Sequence, residues 1–210
     1  MLLFGMDGVP ERAGIMLLPG APLLPHHLLP LRIFEPRYRA MLAAALESHR
    51  MFVIGTPDPE APRNRARPLP IGALGLIRAC VENEDGTSNL ILQGVARVRF
   101  TKVVRCGLYL EGRLELVVSA GTLSAEDQAM VRQMMEEVLA MAEEGITLPG
   151  GLEEYLREIR DPEMLADVMG GVFLRDGKWR QSLLETAEIR PRLEKLAKAL
   201  QAEYPNLKRL

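Results

Sequence analysis

The fourteen residues Leu29 to Leu42, LPLRIFEPRYRAML, join an apolar run, a charged Glu-Pro-Arg step and the start of a helical stripe. Glu35 stands immediately before Pro36, and proline is favoured at the first helical position, where its missing N–H has no partner to lose. The sequence therefore predicts a helix that opens at Pro36 with Glu35 at its cap. Tyr38, Met41, Leu42, Ala45 and Leu46 recur at three- and four-residue steps and share one face, while Arg37, Arg39 and Glu47 point elsewhere. The junction reads as a loop-to-helix corner docked on a core.

Upstream of this corner, Ile15 to Leu18 reads as a short strand, and PGAPLLPHHLLPL reads as a loop in which each proline withdraws a backbone donor. That stretch is excluded from the centre of a sheet. Downstream, MFVIGT is a strand and PDPEAPRNRARPLP an exposed loop. IGALGLIRACVE and NLILQGVARVRF flank NEDGTS, whose Asp85-Gly86 supplies the positive backbone angle of a hairpin turn. Leu108, Leu110, Leu114, Leu116 and Val118 then alternate with Tyr109, Glu111, Arg113 and Glu115, the pattern of a half-buried strand.

The pattern changes to helix near residue 120. Ser124 with Asp127 forms a capping-box pair, and Met130, Met134, Val138 and Met141 follow on one stripe as far as Gly145. GGLEEYLREI predicts a second helix, Asp161-Pro162 opens a third through PEMLADVMGGVF, and WRQSLLET makes a fourth. Leu193, Leu196, Ala197 and Leu200 line the apolar face of the last. The expected organisation is α+β: a β-rich half over residues 1–120 with one inserted helix, then a helical bundle over residues 121–210.

At 210 residues and 48% apolar, the chain can bury a sizeable core without staples. Its 26 lysines and arginines against 28 acidic residues give a net charge of -2, which supplies no overall footprint for nucleic acid or an anionic membrane. Cys80 and Cys106 lie in apolar, strand-like stretches where a free thiol acts as a small hydrophobe, so a reducing, cytoplasmic setting is expected. No stretch approaches the ~18 apolar residues of a membrane span, and the N-terminus lacks a signal-peptide pattern.

Three stretches carry a family resemblance. LPLRIFEPRY, preceded by LLPGAPLLP, is similar to a Leu-Pro-Leu-x-Ile-Phe-Glu-x-Arg-Tyr signature behind a proline-rich lead-in. IGALGLIRACVENEDGTSNLILQGVARVRF resembles a Gly-x-x-x-x-Ile strand, an acidic Asp-Gly turn and a Gly-x-x-Arg-x-Arg ending, here Gly94, Arg97 and Arg99. The weakest, DPEMLADVMGGVF with QSLLETAEIRPRL, resembles the helical half of the same family. The family is the N-terminal, substrate-binding domain of Lon-type ATP-dependent proteases, whose β part resembles a PUA-type pseudo-barrel. A complete Lon protease continues into a P-loop ATPase and a Ser-Lys protease domain. A chain ending at Leu210 is therefore expected to be a stand-alone Lon-type domain.

Reactive chemistry finds little support. In GVFLRDGKW the glycines Gly171 and Gly177 are one residue too far apart for a P-loop, and Trp179 stands where a magnesium-binding hydroxyl belongs, so a helix end and turn is expected. His26, His27 and His49 do not supply a converging metal set, no serine sits in a nucleophile elbow, and neither a cofactor nor a metal is expected. Arg63, Arg65 and Arg67 lack the interleaved aromatics that RNA stacking uses and read as a solvated loop.

What remains is a binding surface. Leu23, Leu24, Leu28 and Leu29 lie in the proline-stiffened loop that runs up to Phe34, and exposed leucines there would form an apolar patch beside Glu35, Arg37 and Tyr38. The plainer reading of that trio is that Glu35 caps the helix and pairs with an arginine while Tyr38 packs. Arg97 and Arg99 share a strand face that could meet a ligand, with a solvated face as the default. The candidate polypeptide-binding residues are thus Leu23, Leu24, Leu28, Leu29, Phe34, Glu35, Arg37, Tyr38 and Arg97. An extended peptide would dock on the patch or pair with a strand edge. The resemblance implies a non-enzymatic module for unfolded or degron-bearing chains, working as an adaptor to a separate protease. RNA binding through a PUA-like surface is the alternative, and catalysis in a pocket between the halves a more distant third.

Overall fold

In the computed structural model, which describes residues 8–62, 65–143 and 150–205, the chain forms two compact units, Met1–Val118 and Ser119–Leu210. Arg63, Gly145 and the side chain of Met141 lie outside the described residues. The first unit contains Arg12–Leu17 (β1), Leu28–Ile33 (β2), Pro36–Leu46 (α1), Met51–Gly55 (β3), Ile71–Glu82 (β4), Ser88–Cys106 (β5) and Tyr109–Val117 (β6). The strand order is β2-β5-β4-β3-β1-β6, and a further β5–β6 pairing closes the sheet into a barrel. Only β1 and β3 run parallel; the other pairs are antiparallel.

Closure depends on the length of β5. Residues 88–93 pair with β2 on one side, and residues 97–106 pair with β6 on that same side, while β4 follows the other edge from Ser88 to Arg99. Register shifts at Leu74/Gly75, Ile77/Ala79 and Phe100/Lys102 add the local bend and twist that a strand needs to serve two neighbours in turn. The hairpin between β4 and β5 turns at Gly86, whose φ of 72° an L side chain adopts only at a cost. Inside the barrel, Ala13, Met51, Val53, Leu74 and Val98 form a buried cluster with Phe100 and Leu114 packed against it. β3 is buried along its whole length, because α1 covers the barrel there and over β1. At Gly14 of β1 a Cβ would come within 2.4 Å of Met41 Cγ, so the absence of a side chain lets α1 lie close.

Two sequence expectations need correction. The proline-rich stretch is not all loop, since Leu28–Ile33 is a strand; its place at the end of the strand order explains how Pro30 is tolerated. Leu23 and Leu24 are not exposed but 1% and 0% accessible, in the core. The cause is a clip on β5: His26 N–H donates to the Gly94 carbonyl at 2.8 Å, and Gly94 N–H donates to the His27 carbonyl at 2.9 Å. This draws the Leu23–Leu24 backbone onto β5 so closely that a Cβ on Gly94 would sit 2.1 Å from the Leu24 oxygen. Gly94→Ala is therefore expected to displace that segment and lower unfolding stability by about 1–3 kcal/mol, the usual cost of overpacking, read by urea denaturation. A change within error would mean that the clip is soft.

The second unit is helical: Ala125–Glu143 (α2), Leu152–Glu158 (α3), Pro162–Phe173 (α4), Gly177–Glu185 (α5) and Ile189–Glu203 (α6). The Ser124–Asp127 capping box forms in both directions, with Ser124 N–H donating to Asp127 Oδ2 at 3.0 Å and Asp127 N–H donating to Ser124 Oγ at 3.1 Å. The Ser124 N–H and the Ser124 hydroxyl, both donating to Asp127 Oδ2, hold that carboxyl below its ordinary value. Asp161 and Asp176 cap α4 and α5 by accepting from Glu163 N–H and Lys178 N–H. The P-loop-like stretch is accordingly the end of α4, a short turn and the first residues of α5. Val131, Met134, Met135, Val138 and Leu139 of α2 are buried, as are Leu193, Leu196, Ala197 and Leu200 of α6. Met130 is half-buried.

Candidate functional site

The corner that the sequence singled out borders a cavity of about 440 Å³ in the first unit. Met16 to Pro19, at the end of β1 and just beyond it, form one part of its lining; Leu31, Arg32, Phe34, Glu35, Arg37 and Tyr38 form another, with Pro57 and Ala66. Its lining is largely apolar and it opens to solvent.

Glu35 occupies the cap position of α1 with extended backbone, and its carbonyl accepts from the N–H groups of Tyr38 and Arg39. Its carboxylate makes no cap bond, contrary to expectation. It turns instead to Arg37, 2.8 Å from both Nε and Nη2. The Arg37 guanidinium in turn lies 4.4 Å from the centroid of the Tyr38 ring, a cation–π stack. Tyr38 is buried, and its hydroxyl lies 3.2 Å from both the N–H and the carbonyl of Leu17, donating to the one oxygen and accepting from the amide. Burial pushes its phenol above the ordinary value, so it stays a neutral hydrogen-bonding post between α1 and β1. The corner is therefore pre-shaped by its own contacts.

Of the nine candidate residues, Phe34, Glu35, Arg37 and Tyr38 line this cavity together. Phe34 is 62% exposed, an unusual state for a phenylalanine on a folded unit. Leu28, 52% exposed, and half-buried Leu29 belong to β2 but not to the cavity wall. Leu23 and Leu24 are in the core, and Arg97, read as solvated, is 4% exposed. Its neighbour Arg99 does face solvent. Cys106 is likewise exposed at the end of β5 rather than packed, while Cys80 is half-buried. Arg67, in the loop read as solvated, pairs with Asp58 at 2.8 Å. The sequence reading missed Leu17, Leu18 and Pro19, which reach the cavity because β1 ends where Tyr38 anchors α1. A signal existed in the Leu-Leu-Pro-Gly break after Met16, where an apolar strand stops without turning polar.

No described strand pairs with the outer edge of β2. Gly94 N–H donates to His27, which makes that pair hydrogen-bonded; the alternation of an antiparallel ladder then directs Leu29, Leu31 and Ile33 toward β5 and Leu28, Pro30 and Arg32 outward. Pro30 therefore loses only an outward donor. Among the described residues, no group of three or more His, Cys, Asp or Glu could hold a metal ion, and no helix is long and apolar enough to cross a membrane.

Comparison with known proteins places this architecture. The barrel with its outer helix, followed by helices, resembles the N-terminal domain of a Mycobacterium avium complex Lon protease, with a TM-score of 0.70 at 21% identity over 90% of this chain and 97% of that one. A Lon N-terminal domain protein from Xanthomonas campestris gives 0.63 at 20% identity, over 88% and 96%. These likenesses establish the α+β fold. Residues 13–202 match the family of the ATP-dependent protease La (LON) substrate-binding domain, and the chain belongs to that family. Related full proteins include a Lon protease of Desulfosudis oleivorans, 23% identical over 96% of this chain and 25% of its own length. Lon protease 2 of Thermus thermophilus is 26% identical over 93% and 24%. The chain thus spans about a quarter of the length of these relatives.

Proposed function

We propose that this protein is a polypeptide-recognition module that takes unfolded or degron-bearing chains into the groove at the β2–α1 corner. The observation that carries the reading is the exposed Phe34 beside an open, largely apolar cavity, next to the outer edge of β2, with which no described strand pairs. Membership of the Lon substrate-binding family supports it. An extended segment would place apolar side chains against Leu17, Leu31 and Phe34. It would add backbone hydrogen bonds along β2, and such bonds tolerate many side chains. Binding alone is the activity proposed, without catalysis, in the cytoplasm, with a separate protease as the partner that receives the client.

The test is fluorescence anisotropy with a labelled, reduced and alkylated polypeptide. Phe34→Asp is expected to weaken binding by about tenfold or more, as loss of an aromatic anchor does. Because Phe34 is exposed, the thermal midpoint should move little. Unchanged affinity with an intact fold would sink the assignment of this groove.

A further inference from the structure

The cavity continues. A smaller one of about 40 Å³ shares Leu17, Arg37, Tyr38 and Ala66 with it and extends to Arg105, Leu108 and Tyr109 at the β5–β6 turn. Along this line stand three arginines, Arg32, Arg37 and Arg105, against the single carboxylate of Glu35. Arg37 is neutralised by Glu35 at 2.8 Å, and Arg32 lies 3.5 Å from exposed Asp85. Arg105 is exposed and makes no ion pair among the described residues. The wider field has the same sign: up to Val118 the sequence holds 14 lysines and arginines against 11 acidic residues, a charge of +3, whereas the remainder holds 12 against 17, a charge of -5. A chain acidic overall thus keeps its positive charge on the unit that carries the groove.

We infer that the groove reads charge as well as apolar character, and that it prefers apolar polypeptide segments flanked by acidic residues, with Arg105 as the side chain that meets the acid. This rests on the polypeptide-binding reading above and names its substrate class. An acidic residue a few positions from an apolar anchor would reach the guanidinium, whose planar fork donates two parallel hydrogen bonds to a carboxylate. A lysine there would meet like charge.

Three labelled peptides with one apolar core and flanks of aspartate, serine or lysine test this by anisotropy at low and moderate salt. The aspartate-flanked peptide is expected to bind about fivefold more tightly than the lysine-flanked one at low salt, within the range of exposed ion pairs, with the gap closing as salt rises. Arg105→Glu should reverse the order and Arg105→Gln should erase it, while Arg99→Glu, on an exposed arginine outside the groove, should keep it. Saturable binding of the serine-flanked peptide with no difference between the charged ones would overturn the inference and leave polypeptide binding standing. Failure of all three to saturate would overturn both. Displacement of the peptides by single-stranded RNA at low salt would mark a polyanion surface and overturn the preference for acidic polypeptide.

Discussion

Arg192→Met is expected to destabilise the helical unit by about 3–5 kcal/mol, the usual cost of removing one partner from a buried ion pair. Arg192 is 2% exposed, and its guanidinium is held from every side. It donates to the Thr186 carbonyl at 2.9 Å, to Glu163 Oε1 at 2.8 Å, to Ser119 Oγ at 2.8 Å and to the Ala187 carbonyl at 3.0 Å, with Asp167 at 3.7 Å. Ser119 Oγ also donates to Glu163, so one guanidinium ties the α5–α6 turn, the first turn of α4 and the start of the unit. Methionine would fill the volume but leave Glu163 and Asp167 without this counter-charge. Arg192→Lys would restore charge without the fork, and recovery should be partial. Urea denaturation followed by circular dichroism at 222 nm reads all of this. A loss below about 1 kcal/mol for the methionine variant would place the network in solvent.

The second large effect separates two leucines four positions apart. Leu24→Asp puts a carboxylate at a site with no accessible surface and is expected to cost about 4 kcal/mol or more or to prevent folding of the barrel unit. Leu28→Asp, at a half-exposed position on the outer edge of β2, should stay within about 0.5 kcal/mol of the parent. Thermal unfolding of the two variants checks the pair. Equal midpoints would mean that the clip between His26, His27 and Gly94 does not hold the Leu23–Leu24 segment down in solution.

The fold was legible wherever a local rule has a local cause. Pro36 after Glu35 marked the start of α1, Gly86 the hairpin, Ser124 with Asp127 the start of α2, and Asp161-Pro162 that of α4; each is a backbone requirement met by residues within three positions. The motif LPLRIFEPRY carried the family. What failed depended on contacts distant in sequence. Leu23 and Leu24 resemble Leu28 and Leu29 in composition, and only the hydrogen bonds to Gly94, some seventy residues away, send one pair inward. The cue was a glycine inside a strand pattern, which signals close backbone approach without saying from where. Arg97 failed for a related reason: alternation gives a strand's two faces but not what covers the outer one. In the site itself, the motif delivered the β2–α1 wall, whereas Leu17 to Pro19 joined it through the Tyr38 hydroxyl, a tie that no spacing rule contains.

The most direct test of the central claim is a hydrogen-exchange footprint of the full chain with and without a saturating reduced, alkylated polypeptide. The account predicts slowed exchange at residues 16–18, along β2 at the outward N–H groups of Leu28 and Arg32, and near Arg105, with α2 and α4 unchanged. Protection confined to the helical unit, or none during saturable binding, would contradict it and place polypeptide recognition elsewhere on the molecule.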